Sequence, residues 1–430
     1  MRRPLALPLA AAALAAAAVV PASAPAASWT APRPAATAGA SFTPSVAADA
    51  RGRMAVGFVR QLRGRTRAEV RRGTTRGLLR GASLVLDSST HFESELAVGL
   101  PSDGGPLAAA WRRFDNGAQR LFAATVSTAG AARTPQALAP DGTESAYAPA
   151  FVAGGDGSTR LVWTRRTTAA GRLLAGGAFG APFALPAPGV GAEPRIAVDA
   201  DGTAVVVWVD SPSGRVLASQ APAGGRFGPP TVLSATGRAR DPQLAVSATG
   251  TAVAVWLQSS GGGNSVQAVA RPRGGAFGAP FQIAEPGQRA FSPRIAATSA
   301  REVLVAWVNS NVTTGYGGGP GVVRLQRLGD DGAPVGARRQ LTPDGVRTTE
   351  PALAHDGTGS VIVAWTNFPA GARSGTVQAR RIAPSAILGS VRTLSRGPVE
   401  NRGAPVLAGG AGRMVAAWTQ HRDVTYSVYR

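Results

Sequence analysis

The chain has 430 residues, with 45 arginines and no lysine set against 24 acidic residues, and its net charge is +21. It contains no cysteine, which excludes disulfides, thiolate metal sites and lipid attached through cysteine. Its 55 glycines and 33 prolines favour many short strands joined by turns over long helices.

The N terminus reads as an export signal. Arg2 and Arg3 precede an apolar run from Leu5 to Val20, and small residues follow. Residues 1–26 are assigned as a signal peptide, cleaved between Ala24 and Ala27, and 27–430 as a single domain. No second apolar stretch of about 18 residues is present, so no spanning helix is predicted. The expected protein is a bacterial one, secreted or associated with the cell envelope, and monomeric.

From residue 44 onward one phrase recurs: a proline, an apolar strand, a turn with glycine, and a second apolar strand ending in an aromatic. Copies run Pro44 to Phe58, Pro149 to Trp163, Pro194 to Trp208, Pro242 to Trp256, Pro293 to Trp307, Pro351 to Trp365 and Pro405 to Trp418. A further copy, Glu95 to Trp111, lacks the proline. Successive aromatics fall 45 to 58 residues apart, the range of propellers, solenoids and arrays.

Each unit parses into four strands, A to D. Strand A follows the proline, and strand B is an unbroken apolar run such as Ala204 to Trp208, the pattern of a strand covered on both faces. Strand C is more polar, and in three units it turns into strand D through near-identical segments, Gly176 to Pro182, Gly224 to Pro230 and Gly274 to Pro280. After Trp418 the chain has room for a strand C and no strand D. Trp29 to Pro32 carries the same aromatic-to-proline spacing as those segments, so it is expected to supply the missing strand. Pairing the two termini removes the free edges of the array. The predicted fold is all-β, an eight-bladed β-propeller whose N-terminal strand closes the last blade. The alternative is a seven-bladed propeller that absorbs the degenerate second unit elsewhere. Seven of the eight tryptophans end a strand B and are read as core.

In this strand order the D-to-A and B-to-C connections share one face, at the mouth of the central channel. Glu193, Asp241 and Glu350 immediately precede the strand A proline, and Arg195, Gln243 and Arg294 follow it. Acids and arginines converging there suit a carboxylate or a sugar, and the acids are the candidate catalytic groups if the protein is an enzyme. Two residues past each strand B aromatic lies a polar side chain: Arg60, Arg113, Arg165, Asp210, Gln258, Asn309, Asn367 and Gln420. These are read first as strand ends in solvent and alternatively as a polar ring, with Asp210 and Asn309 carried as binding candidates. Tyr316, in the long Gly-rich connection after Asn309, and Tyr147, near Pro149, complete the candidate binding set with Arg195 and Arg294.

Ten arginines with one acid, Glu69, lie between Arg51 and Arg80. They are read as a solvated outer strand, and without interleaved aromatics they give no support for nucleic acid. The net charge favours an anionic glycan or cell-envelope polymer, or a protein partner. No cofactor and no metal site is assigned: His91, His355 and His421 have no ligand spacing, and Asp199 to Gly202 reads as a hairpin turn.

The segment Val216 to Leu233 resembles the hairpin of secreted bacterial sialidase-like propellers with BNR (Asp-box) repeats. Against Phe227 the Asp-box glycine is met by Gly224, while Gln220 and Pro222 stand at the Ser and Asp positions. The copies ending at Phe179 and Phe277 depart in the same way, and Arg195-Ile-Ala and Arg294-Ile-Ala lie deep in the chain. An Arg-Ile-Pro near the first blade is what the family carries. The resemblance implies the propeller fold, and no catalytic residue is carried over. The functional reading is a non-catalytic propeller that binds an extracellular polymer or protein through its loop-rich face. Alternatives are a glycoside hydrolase or lyase using rim carboxylates, and a structural envelope component held by its charge.

Overall fold

The computed structural model describes residues 28–430 apart from 37, 74–80, 92, 103, 116–117, 139–145, 154–158, 166–167, 176–177, 186–190, 261–262, 285–288, 299–300, 311–320 and 401–403. The proposed signal peptide and Tyr316 lie outside the described residues, as do the side chains of Tyr147 and Arg165. All regular structure among the described residues is β-strand, in eight antiparallel sheets. In the first, Ala40–Ala48, Met54–Leu62, Arg65–Arg72 and Leu84–Ser89 pair in chain order. The second, built on the unit without the proline, is likewise four-stranded and opens with Glu93–Gly99 and Leu107–Asp115. In the eighth, Val406–Gly410, Arg413–Gln420 and Asp423–Tyr429 are joined by the N-terminal strand Arg33–Pro34. Arg33 sits opposite Tyr426, and Trp29 bridges to Tyr429 with ring centroids 5.5 Å apart.

The first strand of each sheet packs against that of the next, and the series returns from the eighth sheet to the first. The second strands lie behind these first strands and are enclosed on both faces. That explains the unbroken apolar runs: Ala204–Asp210 is buried at every position but its last. The strand B aromatics, Phe58 and the seven tryptophans, are all less than 2% exposed. Each reaches back across a junction. Trp208 packs with Val162 of the third sheet, Trp256 with Val207 of the fourth, and Phe58 with Val415 and Ala417 of the eighth. Truncating one such aromatic to alanine is expected to cost about 3–5 kcal/mol.

A second repeated device sits at the start of strand A. In six sheets the pairing register slips there, between Phe42 and Ser45, Ser94 and Ala97, Tyr147 and Ala150, Ala192 and Arg195, Arg240 and Gln243, and Phe291 and Arg294. Inside five of these bulges a non-glycine residue has left-handed backbone: Thr43, Glu95, Glu193, Asp241 and Ser292, with φ between 49° and 52°. Such a conformation costs on the order of 1–2 kcal/mol per residue. Proline suits a bulge because it has no N–H to leave unpaired. It is not what forces the bulge, since Glu95 keeps the same φ of 51° ahead of a leucine. In the seventh sheet the strand breaks outright, into Arg347–Thr348 and Ala352–His355.

Candidate binding site at the channel mouth

Bulges re-aim side chains, and here they re-aim acids. Glu193, Asp241 and Glu350 lie at the start of strand A in the fourth, fifth and seventh sheets, and Arg294 comes from the sixth. Together they form a chain of polar contacts across four neighbouring sheets. The main-chain N–H of Asp241 donates to Glu193 Oε2 at 2.7 Å. Arg294 Nη1 lies 3.2 Å from both carboxylate oxygens of Asp241, and its Nη2 donates to Glu350 Oε2 at 2.7 Å. Gln243 Nε2 adds a hydrogen bond to Asp241 Oδ1 at 2.9 Å. The side chains of Arg294 and Asp241 keep 27% and 26% of their surface exposed and Glu350 keeps 52%, so the array is open to a ligand.

Arg195, from the fourth sheet, faces the same array with its donors uncommitted. Its one side-chain hydrogen bond runs from Nη1 to the Pro194 carbonyl at 3.0 Å, and it makes no ion pair among the described residues. Burial, and then the like charge of Arg294, hold its guanidinium below the ordinary arginine value, against the pull of Asp241 and Glu193. It nevertheless stays a cation at neutral pH. A planar cation with free donors beside a fixed row of acceptors suits the hydroxyl and carboxylate oxygens of a sugar.

The polar positions after each aromatic do not join this array. Residues i and i+2 of a strand share a face, so Gln258 and Gln420 lie beside the tryptophans of their junctions. Gln258 Oε1 accepts from the Trp256 indole at 3.2 Å, and Gln420 Oε1 from Trp418 at 3.1 Å. Arg113 pairs with Asp87 at 3.0 Å and lies over the Phe122 ring, and Arg60 pairs with the buried Glu69. Arg60, Arg113, Gln258 and Gln420 thus each engage a neighbouring side chain. Of the binding candidates at these positions, Asn309 is only 3% exposed, within its junction. Asp210 closes its own turn, accepting from the N–H and hydroxyl of Ser213. At the opposite end, Asp199 Oδ1 accepts from the N–H groups of Asp201 and Thr203 at 3.0 and 2.8 Å, which is the hairpin turn expected there.

The arginine-rich segment also differs from a solvated strand. Arg53 donates to the carbonyls of Pro101, Gly104 and Gly105 in the second sheet, and Arg72 to those of Ser127 and Thr128. Arg71 and Arg60 donate to the carbonyls of Pro34, Ala35 and Ala38, the segment that joins the eighth sheet to the first. These guanidinium groups tie sheets together.

What the sequence did not disclose is the backbone that makes the mouth. A residue before proline is ordinarily extended, so nothing marks Glu193 or Asp241 as left-handed. No helix among the described residues is long and apolar enough to cross a membrane.

No family model matches the chain, and no curated protein matches it in sequence. Solved structures do. The Dos1 propeller aligns with a TM-score of 0.55 at 10% identity, over 93% of this chain and 95% of that one. A polysaccharide lyase, an ulvan lyase, aligns with a TM-score of 0.51 at 9% identity, over 78% of this chain and 94% of that one. At such identities the likeness is one of fold, and the chain is a β-propeller.

Proposed function

We propose that this is a secreted, non-catalytic propeller that binds an extracellular polymer, a glycan or cell-envelope component, through the channel mouth. The observation that carries this reading is the position of Arg294, whose guanidinium lies between the carboxylates of Asp241 and Glu350. A glycosidase holds two carboxyl groups about 5–10 Å apart across a gap that a sugar or water enters. Here a cation fills that gap, which suits a fixed recognition surface better than a hydrolytic pair. Eight blades closed into one ring are part of this proposal. Support comes from the eight junction cores, of which one joins the eighth sheet to the first.

The test is a panel of glycans and cell-wall polymers, measured with the purified protein over a salt series. Saturable binding that persists at high salt and falls in Arg195→Met and Arg294→Met is expected. Binding that disappears with salt equally for all variants would instead support a structural component held by charge. Turnover of any glycoside that is lost in Glu350→Gln or Glu193→Gln would overturn the non-catalytic reading.

A further inference from the structure

Away from the mouth, on the outer rim between the seventh and eighth sheets, lies a cleft of about 440 Å³. Its walls include Trp29 and Tyr429 on one side and Arg381, Ser390, Arg392 and Thr393 on the other. Trp29 occupies the place that phenylalanine holds in other units, where Phe179, Phe227 and Phe277 pack against the preceding sheet. It packs in the same way, against the core shared by the seventh and eighth sheets, yet it remains only partly buried. A comparable cleft between the second and third sheets, of about 500 Å³, has Phe179 and a single arginine, Arg133. Only the cleft at the seventh and eighth sheets, of these two, combines an indole with two guanidinium groups.

The two arginines are disposed differently. Arg381 is anchored, donating from Nη2 to Ser360 Oγ. Arg392 is exposed and makes no side-chain hydrogen bond or ion pair among the described residues. Its strand, Arg392–Thr393, pairs with Ser374–Ile382 on one side. An aromatic face beside uncompensated guanidinium groups and hydroxyls matches a ligand with an apolar ring face, hydroxyls and an anionic group.

We propose that this rim cleft is a second binding site, for an anionic sugar residue whose ring lies on Trp29 and whose carboxylate or sulfate is held by Arg381 and Arg392. It is separate from the mouth and does not depend on the reading given to Arg195 and Arg294. Calorimetric titration of the purified protein with a galacturonate trisaccharide, a sulfated disaccharide and a neutral galactose trisaccharide tests it. One or both anionic sugars are expected to bind, and the neutral one to bind at least about tenfold more weakly, as the loss of a charge-assisted contact implies. Arg392→Met, which removes a side chain without described partners, is expected to weaken anionic binding about tenfold at unchanged thermal stability. Trp29→Ala should weaken it as well, and the component of binding lost in Arg392→Met should persist in Arg294→Met. Failure of both anionic sugars to bind, equal binding of the neutral one, or wild-type affinity in Arg392→Met would overturn the proposal. Loss of that Arg392-dependent component in Arg294→Met would move the sugar to the mouth and overturn it equally.

Discussion

The carboxylate of Glu193 accepts the main-chain N–H of Asp241 at 2.7 Å, across the junction between the fourth and fifth sheets. Both residues are in the left-handed region, with φ of 52° and 50°. One bulge thus holds the next, and the strain at Asp241 is offset by a bond from the neighbouring sheet. Glu193→Ala is expected to lower stability by about 1.5–3 kcal/mol, the range for hydrogen bonds to charged groups. Glu193→Gln keeps an acceptor oxygen and should cost less than about 1 kcal/mol. Urea unfolding measures both, and equal losses would show that the charge rather than the hydrogen bond matters.

The indoles in the junctions divide by what stands two residues on. Gln258 and Gln420 reach their tryptophans, whereas Trp365 Nε1 and Asn367 Oδ1 are both buried without a hydrogen-bond partner. Asparagine is one methylene too short for the contact that glutamine makes. Asn367 is partly exposed, which leaves room for the longer side chain. Asn367→Gln is therefore expected to stabilise the protein by about 1 kcal/mol. An unchanged or lower denaturation midpoint would mean that glutamine does not serve the indole there.

The scaffold was legible because it repeats. Pro194 and Trp208 fall within consecutive strands, Gly191–Val198 and Ala204–Asp210, and the same pair recurs along the chain. Spacing also pointed to Trp29 to Pro32 as the missing strand D; in the structure Trp29 bridges to Tyr429 and the regular strand is Arg33–Pro34. The mouth was legible only as a set of residue types. Glu193 and Asp241 could be named, but their left-handed backbone contradicts the usual preference before proline and left no trace in the sequence. Asp210 and Asn309 share a position in the repeat but not their surroundings: Asp210 accepts from Ser213 in its own turn, and Asn309 is 3% exposed. The rim cleft brings Trp29 beside Arg392, and no local pattern announces a contact between opposite ends of a chain.

Arginine rather than lysine at the junctions has a geometric reason. Arg53 pairs through Nε with Asp49 at 2.5 Å, through Nη1 with the Gly104 and Gly105 carbonyls at 2.8 and 2.7 Å, and through Nη2 with Pro101 at 3.0 Å. A lysine ammonium is a point charge and cannot span that fork. Arg53→Lys should preserve the charge and still lower stability by about 1–3 kcal/mol. Thermal denaturation decides: a wild-type midpoint in Arg53→Lys would reduce the contact to simple charge.

Asp423 gives the protein a pH dependence at the closing sheet. It follows a two-residue turn in which His421 and Arg422 have φ of 49° and 67°. Burial lifts the Asp423 carboxyl above its ordinary range, and His421 opposes the shift. A carboxyl whose folded value is raised contributes stability in its neutral form. That contribution is present below the ordinary carboxylate range and is lost as pH rises through the raised value. The stability of the wild type relative to Asp423→Asn, read from urea midpoints taken from about pH 3 to pH 7, should fall through this window. Profiles that run parallel for the two proteins would remove Asp423 as a source of pH dependence.

Two glycines allow close approach in Val406–Gly410, the strand that packs between the first strands of the first and seventh sheets. A Cβ on Gly410 would overlap the main-chain carbonyl of Asp49 in the first sheet, and one on Gly409 the carbonyl of His355 in the seventh. Neither obstacle is a side chain that can turn aside, so relief requires the strand itself to shift. Gly410→Ala is expected to cost about 1–3 kcal/mol or more through overpacking. Gly64→Ala provides the comparison, because φ there is 74° and a Cβ would meet nothing within 4 Å. It measures the backbone penalty alone, about 1–2 kcal/mol. Gly410 is not among the residues with left-handed backbone, so any loss in Gly410→Ala comes from the clash. If Gly410→Ala melts like the wild type, the eighth sheet does not press on the first as closely as these carbonyls require. A loss comparable to truncating a junction tryptophan would make this glycine pair a determinant of closure on a par with the aromatic cores.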